Sequence, residues 1–373
     1  MSSSAKSLTT QCCIVGGGPA GMMLGFLLAR SGVKTIVVEK HNDFLRDFRG
    51  DTIHPSTLEL MHELGILKAF LQQPHQRIAK AYVLINGQLF QGPDFSKLAT
   101  HAKFIAMIPQ WDFLNFIAQQ AQQYPEFYLH MGAEATELIE ENNTVKGVIV
   151  QTQQGKVRIF ADLVVGADGR SSIVRSLSKM AILDYQSPID VLWFRLNKPN
   201  TELPETLARI RNGHFMVTIN RGAYYQTALL ISKGQFDAIK TKGLTAFKDT
   251  LCHIEPTFTD VIQAIDSWEQ VKLLSVQINR LQRWYRDGLL CIGDAAHAMS
   301  PIGGVGINLA IQDAVAAANI LTEKLRGGHC HSDDLAKVQA RREWPAKMTQ
   351  RLQVMAHKRF FSDTENNQPL AVS

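Results

Sequence analysis

Two stretches of this 373-residue chain place chemically useful groups at spacings that a folded backbone can exploit. Gly16-Gly17-Gly18-Pro19-Ala20-Gly21 follows an apolar run at 12–15 and opens a helical pattern reaching Arg30. Glycines there permit a tight turn and bring backbone N–H groups close to a pyrophosphate, whose charge then rests on the helix N-terminus. Glu39 ends the next apolar strand about twenty residues on, beside Lys40, where a carboxylate can hold ribose hydroxyls. A glycine turn without a ligand is the bland reading. Strand before, helix after and acid at the right distance favour a dinucleotide.

The second stretch runs Leu290-Cys291-Ile292-Gly293-Asp294-Ala295-Ala296-His297, then Pro301, Gly303, Gly304, Val305, Gly306, Ile307 and Asn308. It sets Asp294 at a strand end and a glycine loop at a helix start. A carboxylate there can accept hydrogen bonds from a polyol such as ribityl. Backbone amides after Pro301 can face negative charge that grows on a reduced flavin. An aspartate cap followed by a glycine-rich loop would explain Asp294 alone, but not the whole run. FAD is therefore favoured over NAD as the resident dinucleotide. His297 reads as a structural histidine in preference to a proton carrier.

The run from Gly293 to Asp313 resembles the FAD/ribityl motif of the class A flavoprotein monooxygenases, the para-hydroxybenzoate hydroxylase-like group. Ala167-Asp168-Gly169-Arg170, continuing to Arg175, is similar to that family's Asp-Gly motif, which serves both FAD and the nicotinamide cofactor. Arg49-Gly50 lies where the family has an arginine near the FAD pyrophosphate. Gln110 resembles its ribityl-contacting glutamine. The likeness covers residues 12–325 and implies noncovalent FAD, NADH or NADPH as a transient reductant, and O2, with the flavin C4a-hydroperoxide attacking an electron-rich carbon of an aromatic substrate. It also implies roles at the reacting side for Arg49, Pro301 and Gly303, and a nicotinamide contact for Arg175. Bland alternatives stand beside these: Arg49 as a surface arginine, and Asp168 as the shaper of a turn.

Elements able to position these groups follow from periodicity. The fold class expected is α/β, a Rossmann-type FAD-binding domain with an inserted, mostly antiparallel β-sheet substrate domain. The FAD-binding domain takes 1–75, 101–180 and 276–373, including C-terminal helices; the substrate domain takes 76–100 and 181–275. In the first, helical patterns around Leu58, Met61 and Leu64 and over 111–123 alternate with strands. Short strands at 127–165 form a meander leading back into a parallel strand. Asn86-Gly87 signals a hairpin, and runs at 191–196, 215–219 and 223–231 read as the separate sheet. Period two puts Trp193 and Arg195 on one face and His214, Met216 and Thr218 on another, with either face able to line the substrate pocket. The ends, 1–8 and 362–373, read as disordered.

Bulk properties narrow the classes further. Net charge is +5, with basic residues scattered instead of gathered in a stripe, which argues against nucleic acid. Five cysteines form no CxxC pair and suit a reducing compartment, so the expected location is cytoplasmic with free thiols. Eighteen uncharged residues at 12–29 mimic a membrane span, but the glycines and Pro19 split them into strand, turn and helix; no other span is expected. His329-Cys330-His331 lacks a second pair of ligands nearby, so no metal is expected. A second glycine fingerprint, redox cysteine pairs and a Trp-x-Trp pair are absent from the sequence. That disfavours disulfide reductases and flavin halogenases. The reading is a monooxygenase acting on a phenolic or polycyclic aromatic molecule, with a quinone precursor or antibiotic still open as substrate. A flavin dehydrogenase or reductase of the same fold, such as a prenyl-chain reductase, or a noncatalytic flavin-binding protein are the alternatives.

Overall fold

The computed structural model describes residues 6–45, 52–199, 208–328 and 330–365, with side chains followed to His357. Two compact units result: one from 1–52, 108–185 and 277–350, the other from 53–107, 186–276 and 351–373.

The first unit is built on parallel strands in the order Leu289–Cys291, Gly155–Gly166, Lys6–Val15, Thr35–Glu39 and Phe127–Met131. Every residue of Thr35–Glu39 is buried, which is why that strand reads as a continuous apolar run instead of an alternating one. Helix Pro19–Arg30 packs against the long helix Gly306–Arg326. The strands Glu134–Glu141 and Thr144–Thr152 form the meander and pair antiparallel into Gly155–Gly166. Lys6 and Ser7 pair with Val157 and Arg158, so the first strand begins inside the segment that composition reads as disordered. Likewise helix Ser332–Glu365 runs into the expected disordered tail. The helical stretch Ile302–Arg326 is long and apolar enough to cross a membrane by length and composition, with 61% of its apolar window buried. This adds a span-like helix to the one stretch that sequence singles out. All five cysteines are free thiols, and burial pushes Cys13 up to about 12.

The second unit carries a seven-stranded sheet in the order Lys272–Ser275, Ile189–Asn197, Tyr224–Ser232, His214–Asn220, Ala208–Arg211, Lys80–Ile85 and Gln88–Asp94. All its ladders are antiparallel except that joining Ala208–Arg211 to Lys80–Ile85. Asn86 and Gly87 both take positive φ, 47° and 86°, as a tight hairpin turn requires. One sheet face buries Leu192, Phe194, Leu196, Met216 and Leu229 against Phe247, Leu251 and Phe258 of the helical segment beyond Phe236. Residues 53–75, whose helical pattern groups them by sequence with the α/β half, cluster with this sheet unit instead. Helix Pro55–Glu63 is short, and Gly65 after it has φ +77°. A helical pattern records one buried face and not which unit supplies the cover.

Candidate flavin site

In the first unit four loops emerge from the carboxyl ends of neighbouring parallel strands, the edge at which open α/β sheets bind ligands. They follow Val15, Glu39, Gly166 and Cys291. Gly16 has φ +110°, and a Cβ there would collide with the Ala167 carbonyl, so glycine is required both by conformation and by the approach of the Ala167-Asp168 loop. A Cβ on Gly21 would strike the Gly16 carbonyl. Gly18, in contrast, caps the helix with open space where its Cβ would stand: the nearest atom is Ala167 O at 3.9 Å. No side chain caps that helix, Pro19 occupies its first turn and no acid lies there. The N–H groups of the first turn are thus left for an anion.

Glu39 is buried, and its carboxylate accepts from Gly17 N at 2.8 Å and His41 N at 3.1 Å. It braces the glycine turn from the strand where a ribose would lie. Lys40 is exposed. Asp294 is half-buried and pairs with Arg170, Nη2 to Oδ2 3.4 Å, while Arg170 Nη1 is a buried donor with no partner among the described residues. An unpaired guanidinium nitrogen next to a carboxylate suits a ligand bearing oxygens, as ribityl and pyrophosphate do. Gly293 stands 3.2 Å, by its would-be Cβ, from Ala20 of the first helix. The glycine turn, the Asp168 loop and the Gly293-Asp294 turn are therefore brought together, and their donors and shapes fit FAD.

The loop after Pro301 is pinned from below. Thr52 Oγ1 donates to Gly304 O at 2.8 Å, and Asn308 Nδ2 donates to Thr52 O at 2.9 Å and Gly304 O at 3.0 Å. Gly304 has φ +59°, and a Cβ there would collide with Thr52. Gly303 is exposed, whereas Pro301, Val305 and Gly306 are half-buried and Ile307 is buried. The helix after Val305 also lacks a side-chain cap and a first-turn acid. Gln110 is half-buried in the first turn of helix Gln110–Ala121.

Several residues have their polar groups committed within the protein. Asp168 accepts from Ser172 Oγ at 2.5 Å, Ile173 N at 2.7 Å and Val174 N at 3.2 Å, so it caps helix Ile173–Ser178. Burial pushes its carboxyl up, against the pull of those bonds. Arg175 is buried and donates to Asn279 Oδ1, Ala295 O and Arg170 O at 3.0, 3.4 and 2.5 Å. Its guanidinium thereby ties the Asp168 loop to the Asp294 turn. Arg49 lies outside the described residues. In the second unit Trp193 and Arg195 lie on the sheet face opposite Leu192 and Phe194, whereas His214 shares the helix-covered face with Met216; the structure does not bring these three together. Burial lowers the His214 pKa, with His253 adding to it.

One network stands out that sequence does not single out. Asp313 is fully buried in the long helix. Its Oδ2 accepts from Gly293 N at 3.0 Å and meets His297 Nε2 at 2.5 Å, and its Oδ1 accepts from Arg342 Nε at 2.7 Å. Burial alone would raise its pKa, but His297 and Arg342 outweigh that and hold the carboxyl below the ordinary range. His297 thus serves as a structural partner, 4.9 Å from the Trp284 ring. Only the closing position of the Gly293 to Asp313 run hints at this; Arg342 has no local signature.

A family described as an FAD binding domain matches residues 9–351, nearly the whole chain. This chain belongs to that FAD-binding family. The protein is 33% identical over 370 residues to the 6-methylpretetramide 4-monooxygenase of Streptomyces rimosus, covering 96% of this chain and 86% of that enzyme. It is 27% identical over 312 residues to a rifampicin monooxygenase of Streptomyces venezuelae, spanning 81% of this chain and 61% of that relative's length. In fold it matches PqsL of Pseudomonas aeruginosa, solved with 2-aminobenzoylacetate, at TM-score 0.77 and 22% identity over 96% of this chain and 97% of that one. The family member described here is an FAD-dependent oxidoreductase of the monooxygenase class. Among its described residues no group of three or more His, Cys, Asp or Glu is placed to hold a metal.

Proposed function

We propose that this flavoprotein hydroxylates a phenolic or polycyclic aromatic small molecule, using NADH or NADPH and O2. The observation carrying this reading is the 33% identity across 96% of the chain to an enzyme named for monooxygenation of 6-methylpretetramide. The single glycine fingerprint supports it: with that site given to FAD, the nicotinamide must visit and leave.

FAD, when bound, supplies a hydride acceptor and, once reduced, the means to activate O2. The chain's part is to bind and position. Gly16, Gly18, Pro19, Ala20 and Gly21 offer backbone to the pyrophosphate, Glu39 and Lys40 stand at the ribose, and Asp294 with Gln110 holds the ribityl chain. Pro301, Gly303, Gly304, Val305, Gly306, Ile307 and Asn308 form the loop and helix start that face developing negative charge. Asp168 shapes its own loop by accepting from Ser172, Ile173 and Val174, and Arg175 ties that loop to the Asp294 turn through Arg170 O and Ala295 O. Arg49 is proposed for the pyrophosphates, and the setting is cytoplasmic.

Incubation with phenols and polycyclic aromatics under labelled O2 tests the reading. Expected are NAD(P)H consumption faster with substrate than without, and a product carrying one labelled oxygen. A product oxidised without label would replace the reading with a dehydrogenase.

A further inference from the structure

Gln226 lies in the sheet unit on strand Tyr224–Ser232, opposite Arg195 on one neighbour and Ile219 on the other. Its residue is 6% exposed. Its Oε1 accepts two hydrogen bonds from a single guanidinium, Arg221 Nε at 3.1 Å and Nη2 at 3.0 Å. That fork fixes which end of the amide is oxygen, because the reversed amide would set donors against donors. The NH2 group must therefore point the other way. There it is buried and has no partner among the described residues. Buried amide donors are almost always satisfied, so one held unsatisfied by a deliberate clamp calls for a ligand.

Its surroundings say what kind. Alternation along the strands puts Trp193, Arg195, Tyr224, Val217 and Ile219 on the same face as Gln226. Trp193, Val217 and Ile219 belong to one apolar cluster, and the Arg195 guanidinium stacks 3.9 Å over the Tyr224 ring. The opposite face is covered by the helical segment, with Leu192, Phe194 and Leu196 packed in one apolar cluster with Phe247, Leu251 and Phe258. We infer that Gln226, clamped by Arg221, is a specificity-determining residue that donates a hydrogen bond to a carbonyl or phenolic oxygen of the aromatic substrate. The proposal rests on the aromatic-hydroxylase reading and adds to it an oxygen acceptor on the ring system. A fully apolar polycycle of the same size leaves the donor unpaired and binds worse.

Binding of 1,4-naphthoquinone and of 1,4-dimethylnaphthalene to the oxidised holoenzyme, followed through the flavin absorbance, tests it. The two probes share size and shape, but only the quinone carries acceptors. Wild type is expected to prefer the quinone at least about tenfold. Gln226→Glu keeps a partner for Arg221 while exchanging the donor for an acceptor, and should abolish or reverse the preference. Gln226→Met, apolar and of similar length, should reduce it to near parity. FAD content and melting temperature show whether each variant is folded, and either folded variant suffices. Equal affinity of wild type for the two probes overturns the proposal, as does a preference that survives in a folded variant, which would mean that water satisfies the amide. Labelled-oxygen incorporation is read separately, so a monooxygenase without this preference leaves the function standing and removes only Gln226.

Discussion

In the α/β unit three carboxylates around the glycine loops each hold backbone: Glu39 binds Gly17 N and His41 N, Asp168 binds Ile173 N and Val174 N, and Asp313 binds Gly293 N beside the His297 and Arg342 side chains. In the sheet unit prominent polar links run from side chain to side chain, as between Arg209 and Glu255 at 2.6 Å or Arg221 and Gln226. The first arrangement shapes loops, and loops with fixed amides are what a nucleotide needs. The second shapes a surface, and a surface with oriented side chains is what discriminates among substrates. On the proposed function, one unit would hold the cofactor through its main chain, while the other would select its ligand through side chains.

The sharpest way to break this contrast is to remove a buried charge from each unit. Asp313→Ala strands Arg342 and releases Gly293 N, while Arg209→Leu strands Glu255, buried like its partner. Each should cost about 3–5 kcal/mol of stability. Only the Asp313 variant should also lose FAD at temperatures where the protein is still folded. Comparing flavin release with loss of circular dichroism on heating decides it; equal flavin loss in both variants would dissolve the distinction.

Backbone substitution comes next. Gly16→Ala must strain a residue at φ +110° and push back the Ala167 carbonyl, a cost of about 1–3 kcal/mol. Purified protein should be largely colourless. At Gly303, exposed and with nothing nearer than Val305 Cγ1 at 3.6 Å, the same change meets only its φ of +82° and should leave FAD in place. The ratio of flavin to protein absorbance separates the two, and a fully yellow Gly16 variant would contradict the turn's role.

Asp294→Ala would remove the charge-assisted hydrogen bond proposed for the ribityl chain, worth roughly 1.5–3 kcal/mol. FAD affinity should fall about tenfold or more by titration of the apoprotein. Arg170, its 3.4 Å partner, offers a control: Arg170→Met should weaken FAD less, since the carboxylate remains. An unchanged affinity in the folded Asp294 variant would move the ribityl elsewhere.

Legibility follows the same division. The glycine turn, Glu39, the Asp168 loop and the Gly293-Asp294 turn can be read from sequence because each is a short strand–turn–helix signal in which backbone geometry dictates residue type. The network on Asp313 is not legible, since Arg342 reaches it from a helix 29 residues further on and nothing local marks the pairing. In the sheet unit, alternation correctly separates Trp193 from Leu192, but it does not say which face the helices cover. That depends on segments such as Leu244–Ile254, whose apolar face matches the sheet only in three dimensions. For the same reason the orphan amide of Gln226 is invisible to periodicity: it arises from the clamp by Arg221, five residues back across a turn.

The smallest expected effect compares two buried histidines. His297, in the α/β unit, has Asp313 as its partner at 2.5 Å, whereas His357, on the helix segment belonging to the sheet unit, has its pKa lowered by burial from 6.5 to about 4. In the folded protein His357 is thus neutral at pH values where an unfolded histidine takes up a proton. The unfolded state binds more protons throughout that window, so stability is full above about 6.5 and declines as pH falls towards about 4. His357→Gln removes this dependence. Urea midpoints measured from neutral pH down to about 4 should show a shallower decline in the variant than in wild type. Parallel curves would mean that the ring is protonated without penalty in the folded state. Removing Asp313 should have a different signature, because a carboxyl held below its ordinary range contributes stability that is lost only as pH falls through the acidic carboxylate range. The two units are then expected to fail at different pH, the sheet unit's histidine beginning to weaken it before the α/β unit's carboxylate does.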